Sequence, residues 1–286
     1  MTVHPNFVAA ILCPGLLALT ALVLPVVVAP EALANETENP TVLASATALQ
    51  TVLSSSHRSE QNRARDQYRH PMQTLEFFGL RPEMTVVELW PGGGWYSEIL
   101  APYLAAKGQL IVTNFDPKKS KGAKAFQEKI TANPEVFGKV KISQITPPDR
   151  ITLAPDNSVD MVLTFRNIHN WVGAGYANKV YAAAYKALKP GGILGVEEHR
   201  ARPGIDPKTS AETGYMSEDG VIAAIKKAGF TFVGKSEINA NPKDTKDYPG
   251  GVWTLPPTLS EKEKNKDRYL AIGESDRMTL KFIKAK

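Results

Sequence analysis

The stretch TVVELWPGGGWYSEIL, Thr85 to Leu100, decides the reading of this chain. A short apolar strand (85–90) runs into three consecutive glycines, and a helical pattern (96–106) follows. In open α/β sheets, ligands bind beyond the carboxyl ends of the strands, and a glycine there lets the backbone approach a ligand closely. No GK[ST] follows, so this is not a phosphate loop. A tight turn is the simpler alternative for the glycines taken alone.

Working outward, strands and helices alternate. Strands are expected at 108–116, 139–145, 159–165, 193–199, 231–238 and 277–284, and helices at 121–133, 175–192 and 217–230. VDMVLTF (159–165) is a near-continuous apolar run, as a strand buried on both faces requires. Strands separated by helices of ten to fifteen residues predict parallel βαβ units. The expected architecture is a doubly wound, seven-stranded, mostly parallel sheet in a domain spanning 57–286, with an antiparallel pair closing the edge. Residues 57–70 are dense in charge and read as helical, and 71–80 as a short amphipathic helix. The loop-rich segment 239–276, containing DYPGGVWTLPPT, is long enough to serve as a binding loop.

Four segments carry a resemblance: VVELWPGGGWYSEIL, IVTNFD, PDNSVDMVLTFRNIHNW and ALKPGGILGVEEHR, in that order. Together they resemble the class I S-adenosylmethionine-dependent methyltransferases, and more narrowly a bacterial family of often exported methyltransferase-like proteins that shares the PGGGWY, FRNIHNW and EHR segments. The likeness spans about residues 60 to 286. It implies a Rossmann-like fold, S-adenosylmethionine as cofactor and a small-molecule acceptor. Carried over, the glycine loop falls on Glu88 to Gly94, with Glu88 holding the methionine end of the cofactor directly or through water. Pro91, Gly92, Gly93 and Gly94 form the backbone cradle. The family's first glycine is Trp90 here, which narrows the loop. The carboxylate for the ribose hydroxyls falls on Asp116, that for adenine on Asp149, and Arg166 joins the cofactor set.

The fourth strand ends abruptly in polar groups, Arg166, Asn167, His169 and Asn170, and the fifth in Glu197, Glu198, His199 and Arg200. Neighbouring strands would bring two histidines and a carboxylate to one cleft, where a histidine beside a carboxylate can act as a general base. The candidate catalytic residues are His169, His199, Asn167 and Glu198. Side-chain alternation predicts Glu197 and His199 on one face and Glu198 on the other. His169, His199 and Glu198 also make a plausible zinc or iron set. Upstream, Tyr68, Arg69 and His70 could reach the cleft. Three functions therefore compete: a methyltransferase, a small-molecule-binding protein on the same scaffold without transferase activity, and a metal-dependent enzyme.

Residues 1–34 hold an uncharged apolar run from Phe7 to Val28 and end in Ala32-Leu33-Ala34, a small-x-small pattern. This predicts a cleaved secretory signal, a periplasmic or extracellular location and no stable membrane insertion afterwards; an uncleaved anchor is the alternative. Residues 35–56 read as a flexible linker. Cleavage removes Cys13, the only cysteine, and with it thiol catalysis and cysteine-ligated metals. It also removes Glu31, leaving 28 acidic against 34 basic residues, a net charge of +6. Those charges are scattered without a Lys/Arg block, so no nucleic-acid footprint is expected.

Overall fold

The computed structural model describes residues 40–286, and the expected signal segment and the start of the linker lie outside them. The strands are β1 (Thr85–Leu89), β2 (Gln109–Asn114), β3 (Lys141–Gln144), β4 (Val159–Phe165), β5 (Leu188–His199), β6 (Phe230–Ser236) and β7 (Arg277–Lys284). They form one seven-stranded sheet in the order β3-β2-β1-β4-β5-β7-β6. β1 to β5 are parallel, and β7 runs antiparallel between β5 and β6. The mostly parallel sheet with an antiparallel last strand is the expected architecture, and the antiparallel pair β6 and β7 closes the edge with β6 outermost.

Strand alternation divides the apolar side chains between two layers. Val87, Leu89, Val162, Leu194 and Val196 face the helices Ala177–Ala187 and Glu218–Lys227. Val86, Leu110, Val112, Met161 and Leu163 face the helices Pro71–Phe78, Ser97–Leu104 and Lys121–Ala132. A Cβ at Gly195 would stand 2.6 Å from Leu163 and 2.8 Å from Phe78, so glycine there lets Pro71–Phe78 lie directly on the sheet.

Two expectations are corrected upstream of the sheet. Residues 40–53, expected as linker, form a helix with Leu49 and Leu53 buried in the second layer. Val52 packs beside them, while Leu43 stays exposed. Residues 57–70 form two short helical turns, Glu60–Arg63 and Asp66–Arg69, rather than one helix. No helix among the described residues is long and apolar enough to cross a membrane.

Candidate functional site

The carboxyl ends of β1, β4 and β5 open into a cleft of about 410 Å³. Its floor is the loop Trp90–Gly93, and its walls come from Phe165–Asn167, His169 and His199. Arg65 and Arg69 enter from the upstream turns. Trp253, Pro256, Pro257, Glu274 and Ser275 come from the 239–276 segment, which thus lines the cleft as its length suggested. A second cleft of about 400 Å³ lies on the β2 side and is lined by Trp90, Asn114, Phe115, Trp171 and Tyr176 among others.

Trp90 stands between the two clefts and lines both. Its φ is +46°, a left-handed conformation that a bulky side chain rarely adopts. Strain of this kind costs on the order of 1–3 kcal/mol and is held by its surroundings. Here the indole packs on Trp171 at 5.0 Å and Phe115 at 6.1 Å, and its backbone N–H donates to the Thr113 carbonyl. The indole Nε1 is buried without a partner.

The glycines behind Trp90 differ in what they permit. Cβ atoms at Gly92 and Gly93 would meet nothing within 4 Å, whereas one at Gly94 would stand 2.8 Å from Phe126. Gly92 and Gly93 leave room for a ligand. Gly94 lines neither cleft and serves helix packing, which corrects its place in the cofactor set. Pro91 lines the first cleft.

Glu88 is also corrected. It is 2% exposed and lies beneath the loop, accepting a hydrogen bond from Ser97 Oγ at 2.6 Å. Loss of solvent pushes its carboxyl up to about 7, against the opposing pull of Ser97 and Lys129. It lines neither cleft, and its hydrogen-bond partner is Ser97 at the start of the following helix.

At the β2 side, Asp116 accepts from the Lys118 N–H at 2.9 Å and lines neither cleft; an aspartate before Pro117 closes an Asx turn on its own backbone. Asp149 sits exposed on the loop after β3, away from both clefts. Neither carboxylate assigned to ribose or adenine lines the second cleft in this structure, whereas Asn114 does.

β4 and β5 assemble the polar cluster. Asn167 Nδ2 donates to the carbonyls of Leu89 at 3.0 Å and Trp90 at 3.3 Å, tying the end of β4 to the glycine loop; its side chain is a brace within the cleft wall rather than a free catalytic amide. Glu198 is fully buried. Its Oε2 accepts from the Ile168 N–H at 2.5 Å, and its Oε1 lies 3.0 Å from His169 Nδ1 and accepts from the His199 N–H at 2.8 Å. It acts through His169 and does not line the cleft. That arrangement leaves His169 Nε2 as the ring atom without a protein partner among the described residues.

His199 Nδ1 lies 2.6 Å from Ser275 Oγ, and the two imidazoles are 5.6 Å apart. Burial, then the neighbouring His169, Arg166 and Arg277, hold the His199 proton affinity well below its ordinary value, so it is neutral at pH 7. Alternation places Glu197 and Glu198 on opposite faces as expected: Glu197 accepts from Tyr96 Oη at 2.9 Å, Glu198 meets His169. His199, the last residue of β5, pairs across the strands with Arg277, which contacts Glu197, and its ring also lies 5.6 Å from that of His169.

Arg69 of the three upstream candidates reaches the cleft; Tyr68 and His70 do not line it. Arg65, Glu274 and Ser275 escaped the sequence reading. The signal was present in GESDR (273–277): β7 is antiparallel, so the residues entering it lie at the same rim as the carboxyl ends of the parallel strands.

Residues 88–196 match a family model described as a methyltransferase domain. The fold, a seven-stranded mostly parallel sheet with an antiparallel last strand, is shared with S-adenosylmethionine-dependent methyltransferases of solved structure. Similar solved structures include a SAM-dependent methyltransferase from Aquifex aeolicus, at 17% identity and a TM-score of 0.53, covering 77% of this chain and 92% of that one. The [4+2]-cyclase SpnF is similar at 16% identity and a TM-score of 0.55, covering 86% and 94%. A putative sarcosine dimethylglycine methyltransferase from Galdieria sulphuraria is similar at 14% identity and a TM-score of 0.52, covering 78% and 86%. Among curated proteins no sequence matches significantly. These identities establish a shared fold, and a methyltransferase fold that also serves a cyclase leaves the chemistry to be argued from the site.

Proposed function

We propose that this protein is an S-adenosylmethionine-dependent methyltransferase acting on a small acceptor whose nucleophilic atom carries a proton. The observation that carries this reading is the His169–Glu198 pair beside Gly92 and Gly93. The residues fit the cofactor at the loop: two glycines whose Cβ positions are open, a partnerless indole N–H at Trp90 and a second cleft of aromatic walls. At the ribose end the fit rests on Asn114 rather than a free carboxylate.

When bound, S-adenosylmethionine supplies an electrophilic methyl group. The chain's own work is to orient the acceptor, exclude water and remove its proton. His169 Nε2 takes that proton. Glu198 fixes the tautomer and balances the imidazolium that results, the logic of a base held by a third group. His199, neutral and tied to Ser275, shapes the wall beside it. The apolar amino-terminal run supports an exported location, and the scattered charge supports a small molecule rather than a nucleic acid as partner.

Calorimetric titration with S-adenosylhomocysteine tests the cofactor. Micromolar affinity is expected, and a folded protein that does not bind at millimolar concentration overturns the reading in favour of a different small-molecule ligand. With an acceptor in hand, His169→Gln should lower kcat by about 10²–10⁴-fold while leaving S-adenosylhomocysteine affinity unchanged.

One observation favours a metal as a second reading: ligand atoms of His169, Glu198 and His199 lie within 4.8 Å of one another. Against it, both Glu198 oxygens already accept hydrogen bonds from the chain. Stoichiometric zinc or iron retained by the purified protein, and lost in His199→Ala, would turn the assignment toward it.

A further inference from the structure

The cleft holds more positive charge than its own carboxylates balance. Glu274 receives Arg65 Nε at 2.6 Å, Arg69 Nε at 3.0 Å and Arg277 Nη1 at 3.1 Å, with Arg166 Nη1 at 3.9 Å. Glu197 stands 3.2 Å from the same Arg277 nitrogen. Four guanidinium groups thus share two carboxylates, an excess of two positive charges. The next carboxylate, Glu198, is closed off by the His169 ring and by the backbone N–H groups of Ile168, His169 and His199. Buried charges in proteins are ordinarily paired, because removal from water is costly and a partner offsets it.

The excess is directed. Arg65, Arg69 and Arg166 line the cleft, while Arg277 lies behind them. Arg69 is 2% exposed, yet its Nη1 has no partner, and its Cζ lies 4.7 Å from the centroid of the Trp95 ring. A guanidinium placed against an aromatic ring with donors left over is suited to a further oxyanion. Arg166 is set in a left-handed conformation at φ +61°, its N–H donating to the Glu197 carbonyl at 2.7 Å. Burial lowers its hold on its proton, and the nearby Glu197 and Glu274 oppose that effect.

The cofactor does not supply that balance. S-adenosylmethionine carries a sulfonium and an ammonium against one carboxylate, so its arrival adds positive charge. The cleft walls beside the arginines are flat and apolar: Trp90, Trp95, Phe165 and Trp253, the last 38% exposed. We infer that the acceptor is a carboxylate attached to a flat apolar body, its anionic group held by Arg65, Arg69 and Arg166. That the carboxylate belongs to the acceptor rests on the methyltransferase reading; that the cleft binds a carboxylate does not.

The test uses benzoate and its neutral isostere benzamide, with tryptophan fluorescence as readout because Trp95 lies under Arg69. Benzoate should give a saturable change at a concentration at least tenfold lower than benzamide. Arg65→Gln and Arg166→Gln, at positions a fifth exposed, should each weaken benzoate about tenfold and leave benzamide unchanged, with melting checked to confirm folding. Benzoate binding no tighter than benzamide, or unaffected by either folded variant, overturns the inference. Repeating the titration with saturating S-adenosylhomocysteine separates the two sources of a carboxylate. Retained benzoate binding assigns the arginines to the acceptor; displacement assigns them to the cofactor's amino-acid end and overturns the acceptor assignment. Benzoate binding by a protein that does not take S-adenosylhomocysteine supports the anion site and overturns the methyltransferase reading alone.

Discussion

The two clefts on either side of Trp90 have nearly the same volume, about 410 and 400 Å³, but one is charged and the other neutral. The first is walled by arginines, a glutamate and two histidines. The second is walled by aromatic rings, asparagines and small residues, with no acidic or basic side chain among its lining. The difference teaches where the chemistry is concentrated. Charge that is hydrogen-bonded, buried and preorganised sits at the ends of β4 and β5, where groups can act on a developing charge. The β2 side offers shape and stacking, suited to a neutral ring system whose recognition needs no ion pair.

The largest expected effect sharpens what supports the loop that both clefts share. Burial raises the Glu88 carboxyl from 4.5 to about 7. Its stabilising contribution is therefore present below pH 4.5 and lost as pH rises through about 7, where the buried group must ionise. Glu88→Gln, which keeps the Ser97 contact, should be more stable than the wild type above pH 8 by up to about 3 kcal/mol and should lose that advantage at pH 4. Denaturant melts at both pH values check this, and a pH-independent difference would refute the buried titration.

The next separates the clefts directly. Gly93 lines the first and not the second. Gly93→Val should weaken S-adenosylhomocysteine by about 100-fold, roughly 2.7 kcal/mol, while adenosine, which the proposed function assigns to the second cleft, stays within about threefold. Equal loss of both ligands in calorimetry would merge the two clefts into one. Gly94→Ala comes third, because Cβ would meet Phe126 at 2.8 Å from a φ of +78°. It should cost about 1–3 kcal/mol in thermal unfolding and change ligand affinity little at temperatures where the variant is folded. The smallest effect is at Asp116. With its carboxylate turned to the Lys118 N–H, Asp116→Ala should alter adenosine affinity by less than about threefold. A tenfold loss would show that the β2 side does use a carboxylate.

The fold was legible because its signals are local and periodic. The apolar run of β4 and the helix patterns of 121–132 and 218–227 can be read without knowing their partners. The site was legible only in part. His169 and His199 stand out as polar residues at the ends of apolar strands, and the strand order makes them neighbours. Asp116 and Asp149 fall outside the lining of both clefts, because a motif position assigns a residue type but not the direction of its side chain. Glu274 and Ser275 were missed because they precede a strand whose antiparallel sense brings its start, not its end, to the rim.

The sequence by itself determined the alternation of strands and helices, the glycine loop and the pair of histidines, since each follows from residue spacing along the chain. Tertiary structure decided that Gly94 is for packing while Gly93 faces open space, that Glu198 works through His169, and that arginines from residues 65–69, 166 and 277 converge on Glu274. The last of these joins side chains more than 200 residues apart in the chain, at 2.6 and 3.0 Å. Spacing in sequence carries no information about such a contact; the energy that selects it arises when the folded sheet brings its own rim together.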